Sequence, residues 1–353
     1  MNILVYGAGV LGSLYAARLQ ETGCNVSLLA RGQRLIELRE HGIVLEDARS
    51  GQRTTTPVNV VERLAPEDSY DLLLVVMRRD QVPAVLPVLA AHQGTQNILF
   101  MVNNVSGPGE YIKAVGRERV LLGFPGAGGT RDGHVVRYHI MSRQQQATTL
   151  GELDGRLSSR LGQIVRTFEQ AGFPVEVSRN MDAWLKTHAG WIVPTETALY
   201  MAGGDNYRMA RTRDAVVSIV RAVRENFRVL HALGIPITPG RLTIFERLPE
   251  PLLIAFLQRL FNTKTAELVI ARHANAARDE TQVLAEELKA LAASAGIATP
   301  TMERLSRYLD ETVPPAPDGS AEIALDWRGT GAGLGALAVV VGFFTWLLAR
   351  RDG

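Results

Sequence analysis

Gly7, Gly9 and Gly12 stand close together in the stretch "NILVYGAGVLGSLYAARL", between a short apolar run and a segment with helical spacing. Glycines so placed let a chain turn tightly out of a strand, bring its backbone against a pyrophosphate, and pack the following helix closely on that strand. The segment Gly7, Ala8, Gly9, Val10, Leu11 and Gly12 is therefore a candidate dinucleotide cradle, with helix N-terminal amides facing the phosphates. The second strand ends in "SLLARGQR", where a site for the unphosphorylated cofactor usually carries an Asp or Glu for the ribose 2'-hydroxyl. Arg31, followed by Arg34, stands there instead, and a cation at that place favours the 2'-phosphate of NADP(H).

A strand and a helix must position those groups, and the first half of the chain supplies several of each. Apolar runs of strand length, "NILVY", "NVSLLA", "DLLLVVM", "NILFMV" and "RVLLGF", alternate with helix-like segments, the pattern of a doubly wound parallel sheet. "IVLEDARSGQRTTTPVNVV" reads as a hairpin appended to the sheet, and residues 133 to 150 as two further extended segments. After about residue 155 the apolar spacing becomes helical over 181–203, 213–234 and 265–295, with Val216, Ile219, Val220, Val223 and Phe227 on one stripe. The expected architecture is an α/β Rossmann-type N-terminal domain with an all-α C-terminal domain and an apolar C-terminal tail helix. The expected boundaries are 1–155 for the NADP-binding domain and 156–312 for a helical substrate and dimerisation domain. A linker follows at 313–328, and the tail helix at 329–349.

Composition narrows the function. Among 353 residues, 38 Lys plus Arg face 36 Asp plus Glu, so no single-sign field exists to hold nucleic acid. The single cysteine, Cys24, cannot form an internal disulfide, and no metal-type Cys/His spacing exists, which suits a reducing cytosol and a metal-free site. The amino-terminal residues carry no charged run followed by an apolar stretch, so an export signal is not expected.

With its "LLARG" strand ending the chain resembles the ketopantoate reductase family, NADPH-dependent enzymes that reduce a 2-keto acid to its 2-hydroxy acid. "NILVYGAGVLG", "DLLLVVMRRDQ", "NILFMVNN", "TRDGHV", "AWLKTHAGW" and "GIATPTMERL" fall in the family's order from residue 1 to about 310. The resemblance implies that Asn103 lies beside nicotinamide and substrate, and that Gly129 contacts the cofactor through its backbone. It implies that Lys186 is the proton donor, and that Glu280 helps seat the cofactor or hold the lysine. An ammonium there would stabilise the charge that hydride arrival places on the substrate oxygen, and would supply the proton. The implied product is pantoate, made from 2-dehydropantoate for coenzyme A.

The chain also departs from the family. Arg78 replaces a lysine at the end of the third parallel strand, keeping the charge but not the compact ammonium; it is still expected to meet cofactor phosphate or ribose. Gly190 and Pro194 replace two asparagines that follow the lysine on its helix, and Leu268 replaces a serine. A less polar pocket is expected, with His188, Thr195 or Glu196 as candidates for compensation. Two other functions follow from these departures: reduction of a more apolar carbonyl compound, or NADPH binding without turnover in a regulatory protein.

The run "GTGAGLGALAVVVGFFTWLLA", residues 329–349, has no charge and lies outside the resemblance. As a helix its 21 residues would extend about 31 Å, enough for the hydrocarbon core of a bilayer. Trp346 with Arg350 and Arg351 would suit an interface, and Gly331 with Gly335 a close helix contact. The expectation is a cytoplasmic catalytic body anchored to the membrane by this run; packing of the run against the helical domain or a homodimer partner is the competing one.

Overall fold

The computed structural model describes residues 1–328. The expected run at 329–349 lies outside the described residues, and among those described no helix is long and apolar enough to cross a membrane. Two compact units form: Met1–Ala189 with Leu268–Leu291, and Gly190–Glu267 with the described residues from Ala292 on.

The first unit is built on an eight-stranded sheet. In chain order its strands are β1 (Asn2–Tyr6), β2 (Asn25–Leu29), β5 (Asn59–Val61), β6 (Leu72–Val75), β7 (Ile98–Met101), β8 (Val120–Phe124), β11 (Thr148–Glu152) and β12 (Val175–Val177). They lie side by side in the order β12-β11-β8-β7-β6-β1-β2-β5, parallel except where β11 meets β8. The β1 residues explain why a near-continuous apolar run is needed there. Ile3 and Val5 enter one core and Leu4 and Tyr6 the other, so both faces are covered, as in parallel sheets generally. The helices α1 (Val10–Glu21), α2 (Gly32–His41), α3 (Val82–Ala91) and α4 (Gly109–Val115) interleave with these strands as the alternating pattern predicts.

The remaining strands form a separate four-stranded sheet. β3 (Ile43–Asp47) and β4 (Arg53–Thr56) make a hairpin, but one that belongs to this second sheet and not, as expected, to the main one, while β5 at the end of the same stretch pairs parallel with β2; β10 (Val135–Ile140) pairs parallel with β3 and antiparallel with β9 (Ala127–Asp132). The structure differs from expectation after residue 155. The helix Ser159–Gln170 and β12 still belong to the first unit, where β12 extends the main sheet beside β11. Three strand residues in "FPVEV" are too few to show a period against the long helical stretches that follow. The same unit takes back Leu268–Leu291, so its boundary does not follow chain order.

The second unit is helical. In its helix Arg213–Ala232 the residues Val216, Ile219, Val220, Val223 and Phe227 are all fully buried, the stripe read from the sequence. The stretch 265–295, most of which belongs to the first unit, is not one helix: a π-helical turn at Glu267–Ala271 and a short helix, Arg272–Ala276, precede the helix Arg278–Ala295. Residues 313–328, expected as a linker, are strapped along the second unit. Arg208 donates to the Ala316 carbonyl (2.6 Å), Arg211 forks onto Asp318, and Asp214 accepts from the amides of Glu322 and Ile323 (3.0 and 2.9 Å). Proline and polar content hid this, because the strap is held mainly through its backbone and by the Asp318 carboxylate, and leaves no apolar period.

Candidate active site

β1 ends against the turn that opens α1. Gly7 has φ +124°, and a Cβ there would stand 2.2 Å from the Val76 carbonyl oxygen; a Cβ on Gly12 would stand 1.8 Å from that of Gly7. Both positions require glycine. At Gly9, by contrast, an added Cβ meets nothing within 4 Å, so the backbone there is open to approach. Gly129 lies on β9, where a Cβ would stand 2.3 Å from the Arg137 carbonyl oxygen and 3.1 Å from Val10 at the start of α1. Its lack of a side chain is therefore also a packing requirement of the second sheet.

Arg31 follows β2 at the start of α2, exposed, with one guanidinium nitrogen donating to the Tyr6 hydroxyl (3.2 Å). Arg34, for which the sequence suggested no separate role, is buried behind the glycine turn. It donates to the Ala8 carbonyl (3.2 Å) and the Ser13 hydroxyl (3.1 Å), and Glu37 pairs with it at 3.1 Å. Burial lowers its pKa, with Arg131 acting in the same direction and Glu37 opposing both. The two arginines thus divide their work, one outward beside the strand end and one bracing the turn.

Asn103 follows β7. Its amide donates to Glu280 (3.2 Å), while its buried side-chain oxygen has no donor among the described residues. Glu280 sits in the first turn of the helix Arg278–Ala295 and also accepts from the Arg79 backbone amide (2.9 Å). Seven residues on, hence two turns along the same face, Glu287 accepts from the amides of Val105 and Ser106 (2.9 and 3.3 Å) and pairs with Arg79. Arg79 reaches Glu110 as well (2.6 Å). Sequence reasoning missed Arg79 and Glu287, although the seven-residue spacing from Glu280 was readable. Arg78 does not project freely: it donates to the Ala276 carbonyl (3.1 Å), closing the end of a short helix, and to Asp80 (3.0 Å).

Lys186 is buried on the helix Met181–Met201, its side chain 8% exposed, and its ammonium is ion-paired with Asp182 one turn earlier. Glu280, expected as a possible holder of this lysine, bonds Asn103 and Arg79 instead. Lys186 also borders the Asn103 loop, since a Cβ on Gly107 would stand 3.4 Å from its Nζ. Asn104 braces that loop by exchanging two hydrogen bonds with the Gly107 backbone (2.9 and 2.8 Å). His188 is stacked with Trp184 and against Phe124, and burial holds its pKa down at about 3, so it is neutral near pH 7.

In the second unit Gly190 and Pro194 prove to be coupled. Proline has no N–H, so the Gly190 carbonyl four residues earlier loses its helical donor; Asn226 supplies one from the helix Arg213–Ala232 at 3.1 Å. Thr195 donates to the Trp191 carbonyl (3.0 Å), and Glu196 is buried. Leu268, in the first unit, lies in the π-helical turn, half-buried.

A strand, a turn that admits only glycine at two points, an open third glycine and an exposed arginine after the second strand define a Rossmann-type dinucleotide-binding protein. Residues 3–155 match the family described as "Ketopantoate reductase PanE/ApbA". It is 23% identical over 185 residues to a 2-dehydropantoate 2-reductase of Nostoc sp., covering 50% of this chain and 56% of that protein. With the Archaeoglobus fulgidus protein of the same name it is 25% identical over 201 residues, 56% of this chain and 64% of that one. These alignments thus span less than two thirds of the curated relatives' length. Among solved structures, the 2-dehydropantoate 2-reductase of Geobacter metallireducens superposes with a TM-score of 0.72 at 20% identity, covering 89% of this chain and all 100% of that one. A complex of D-mandelate dehydrogenase with NADH and anilino(oxo)acetate gives 0.72 at 17% identity, over 88% and 98% of the two chains. The structural likenesses establish the fold.

Proposed function

We propose that the chain is an NADPH-dependent reductase of a 2-keto acid, with 2-dehydropantoate the first candidate substrate. The observation that carries this reading is a buried ammonium, Lys186, set against the loop that begins with Asn103, in the same compact unit as the glycine turn. The residues fit the cofactor. Gly7 to Gly12 would receive the pyrophosphate and Arg31 the 2'-phosphate, and the unpaired oxygen of Asn103 offers an acceptor to a carboxamide. Reduced nicotinamide, when bound, supplies the hydride.

The chain's own part is orientation and proton delivery. Asp182 fixes the position of the Lys186 ammonium, which gives its proton to the carbonyl oxygen of the substrate as negative charge builds there. Glu280 and Glu287 act at one remove, holding Asn103 and the following backbone through direct bonds. Gly129 and Arg78 complete the set as cofactor neighbours. The reading places the catalytic body in the cytosol, with a homodimer and membrane contact through 329–349 as further parts of it, read by gel filtration and membrane fractionation.

Cofactor oxidation with a panel of 2-keto acids tests the assignment. Turnover of 2-dehydropantoate should fall about a hundredfold or more in kcat on Lys186→Ala, with NADPH affinity little changed, because a proton donor acts in the transition state. An unchanged kcat removes Lys186 from the mechanism. Gly190, Pro194 and Leu268 favour a second reading, a more apolar carbonyl substrate, and an aryl 2-keto acid preferred over 2-dehydropantoate would establish it. NADPH binding without oxidation by any member of the panel would indicate a regulatory protein.

A further inference from the structure

The second unit contains an open cleft of about 1010 Å³ whose lining includes Arg221, Arg224, Arg228, Arg247 and Arg328. Its four carboxylates are already committed. Glu250 holds Arg221 through two bonds (2.9 and 2.8 Å) and lies 4.0 Å from Arg224, so one negative charge serves two guanidinium groups. Glu225 accepts from the amides of Thr301 and Met302, Glu246 pairs with His231 (2.8 Å), and Asp326 pairs with Arg328 (2.9 Å). Arg228 and Arg247 are exposed, and among the described residues no hydrogen bond or ion pair engages the guanidinium of either one.

Positive charge is thus left over in one concave place. Arg224 reports it from within: burial lowers its pKa, and Arg221 lowers it further against the pull of Glu250 and Asp326. An anion seated here would relieve that repulsion and give two free guanidinium forks a partner whose oxygens match their geometry. A phosphate group suits the forks best, because three outward oxygens can accept from more than one arginine at once.

We propose that this cleft, separate from the glycine turn of the first unit, binds a phosphate group, with Arg228 and Arg247 as its principal contacts and Arg224 at its base. Two sources share that chemistry. One is a free organic phosphate. The other is the headgroup of an anionic lipid, which the position of the cleft brings into play: Trp327, 64% exposed, adjoins Arg328, and the uncharged sequence 329–349 begins at the next residue.

The test uses the full chain in two arms, comparing wild type with an Arg228→Glu, Arg247→Glu double variant. Neither side chain makes a bond that holds the fold together, and an Arg228→Gln, Arg247→Gln pair serves should charge reversal prevent folding. In the first arm, calorimetric titration with inorganic pyrophosphate should show binding that weakens about tenfold or more in the variant. In the second, co-sedimentation should show more protein on phosphatidylcholine vesicles containing phosphatidylglycerol than on pure phosphatidylcholine, and the variant should lose that excess. A loss in the first arm identifies a free phosphate, and a loss confined to the second identifies a lipid headgroup. Absence of binding in both arms, or binding equal in wild type and variant, overturns the proposal; in the latter case the phosphate sits elsewhere, the glycine turn included.

Discussion

Arg31 has its guanidinium steadied by the Tyr6 hydroxyl and otherwise turned outward, so a substitution there should change recognition and leave the fold alone. NADPH should bind more tightly than NADH, and Arg31→Ala should erase most of that preference, about ten- to a hundredfold for a charged hydrogen-bonded contact. Dissociation constants for both cofactors check this, and equal values in the unmodified chain would refute it. His188 gives a second prediction, with a definite sign. Its pKa drops from 6.5 in the unfolded chain to about 3 in the folded one, so below pH 6.5 the unfolded state takes up a proton that the folded state refuses. This contribution leaves stability untouched above pH 6.5 and erodes it as pH falls toward 3, by about 2 kcal/mol at pH 5. Melting temperatures between pH 7 and 4 should fall less steeply in His188→Phe, and equal slopes would show that His188 does not carry the effect. At this scale much of the site was legible. The glycine spacing and the missing acid after β2 could be read because their physics is local. Arg79 and Glu287 could not be paired from the sequence, since they lie 208 positions apart and only the fold brings them together.

Elements were legible where their periods were long. All five strand runs of the first half appear, and so does the buried stripe on Arg213–Ala232. β12, three residues long, had too little pattern to be seen. The proline at 194 reads in sequence as the loss of a polar family position; in the structure it is half of a repaired backbone. The repair makes Asn226 costly to replace. Asn226→Leu leaves the buried Gly190 carbonyl without a donor and should destabilise the chain by about 1 to 3 kcal/mol, whereas an exposed substitution on the same helix should do little. Chemical denaturation measures this, and a variant as stable as the parent would show that water takes the place of the amide.

At the scale of the whole molecule, the strap at residues 316–326 decides where the chain can be cut. A chain ending after Arg328 retains the bonds from Arg208, Arg211, Arg221 and Glu250 to the strap, and one ending after Pro317 loses most of them. The shorter chain should be less stable by about 2 kcal/mol or more, a melting temperature lower by about 4 °C or more. Equal melting of the two would mean that the strap adds nothing. Sequence could not anticipate this, because a proline-rich segment held by other residues' side chains carries no period of its own.

The Asn226 repair has one more consequence, for the order in which structure can be lost. A helix normally satisfies its own carbonyls, so each can fray alone. The helix Met181–Met201 cannot, because one of its hydrogen bonds is donated from a residue 36 positions away. Amide exchange in the two helices should therefore be cooperative around that point. When Arg213–Ala232 opens, the turns flanking Gly190 open with it, and protection in both is governed by a single free energy.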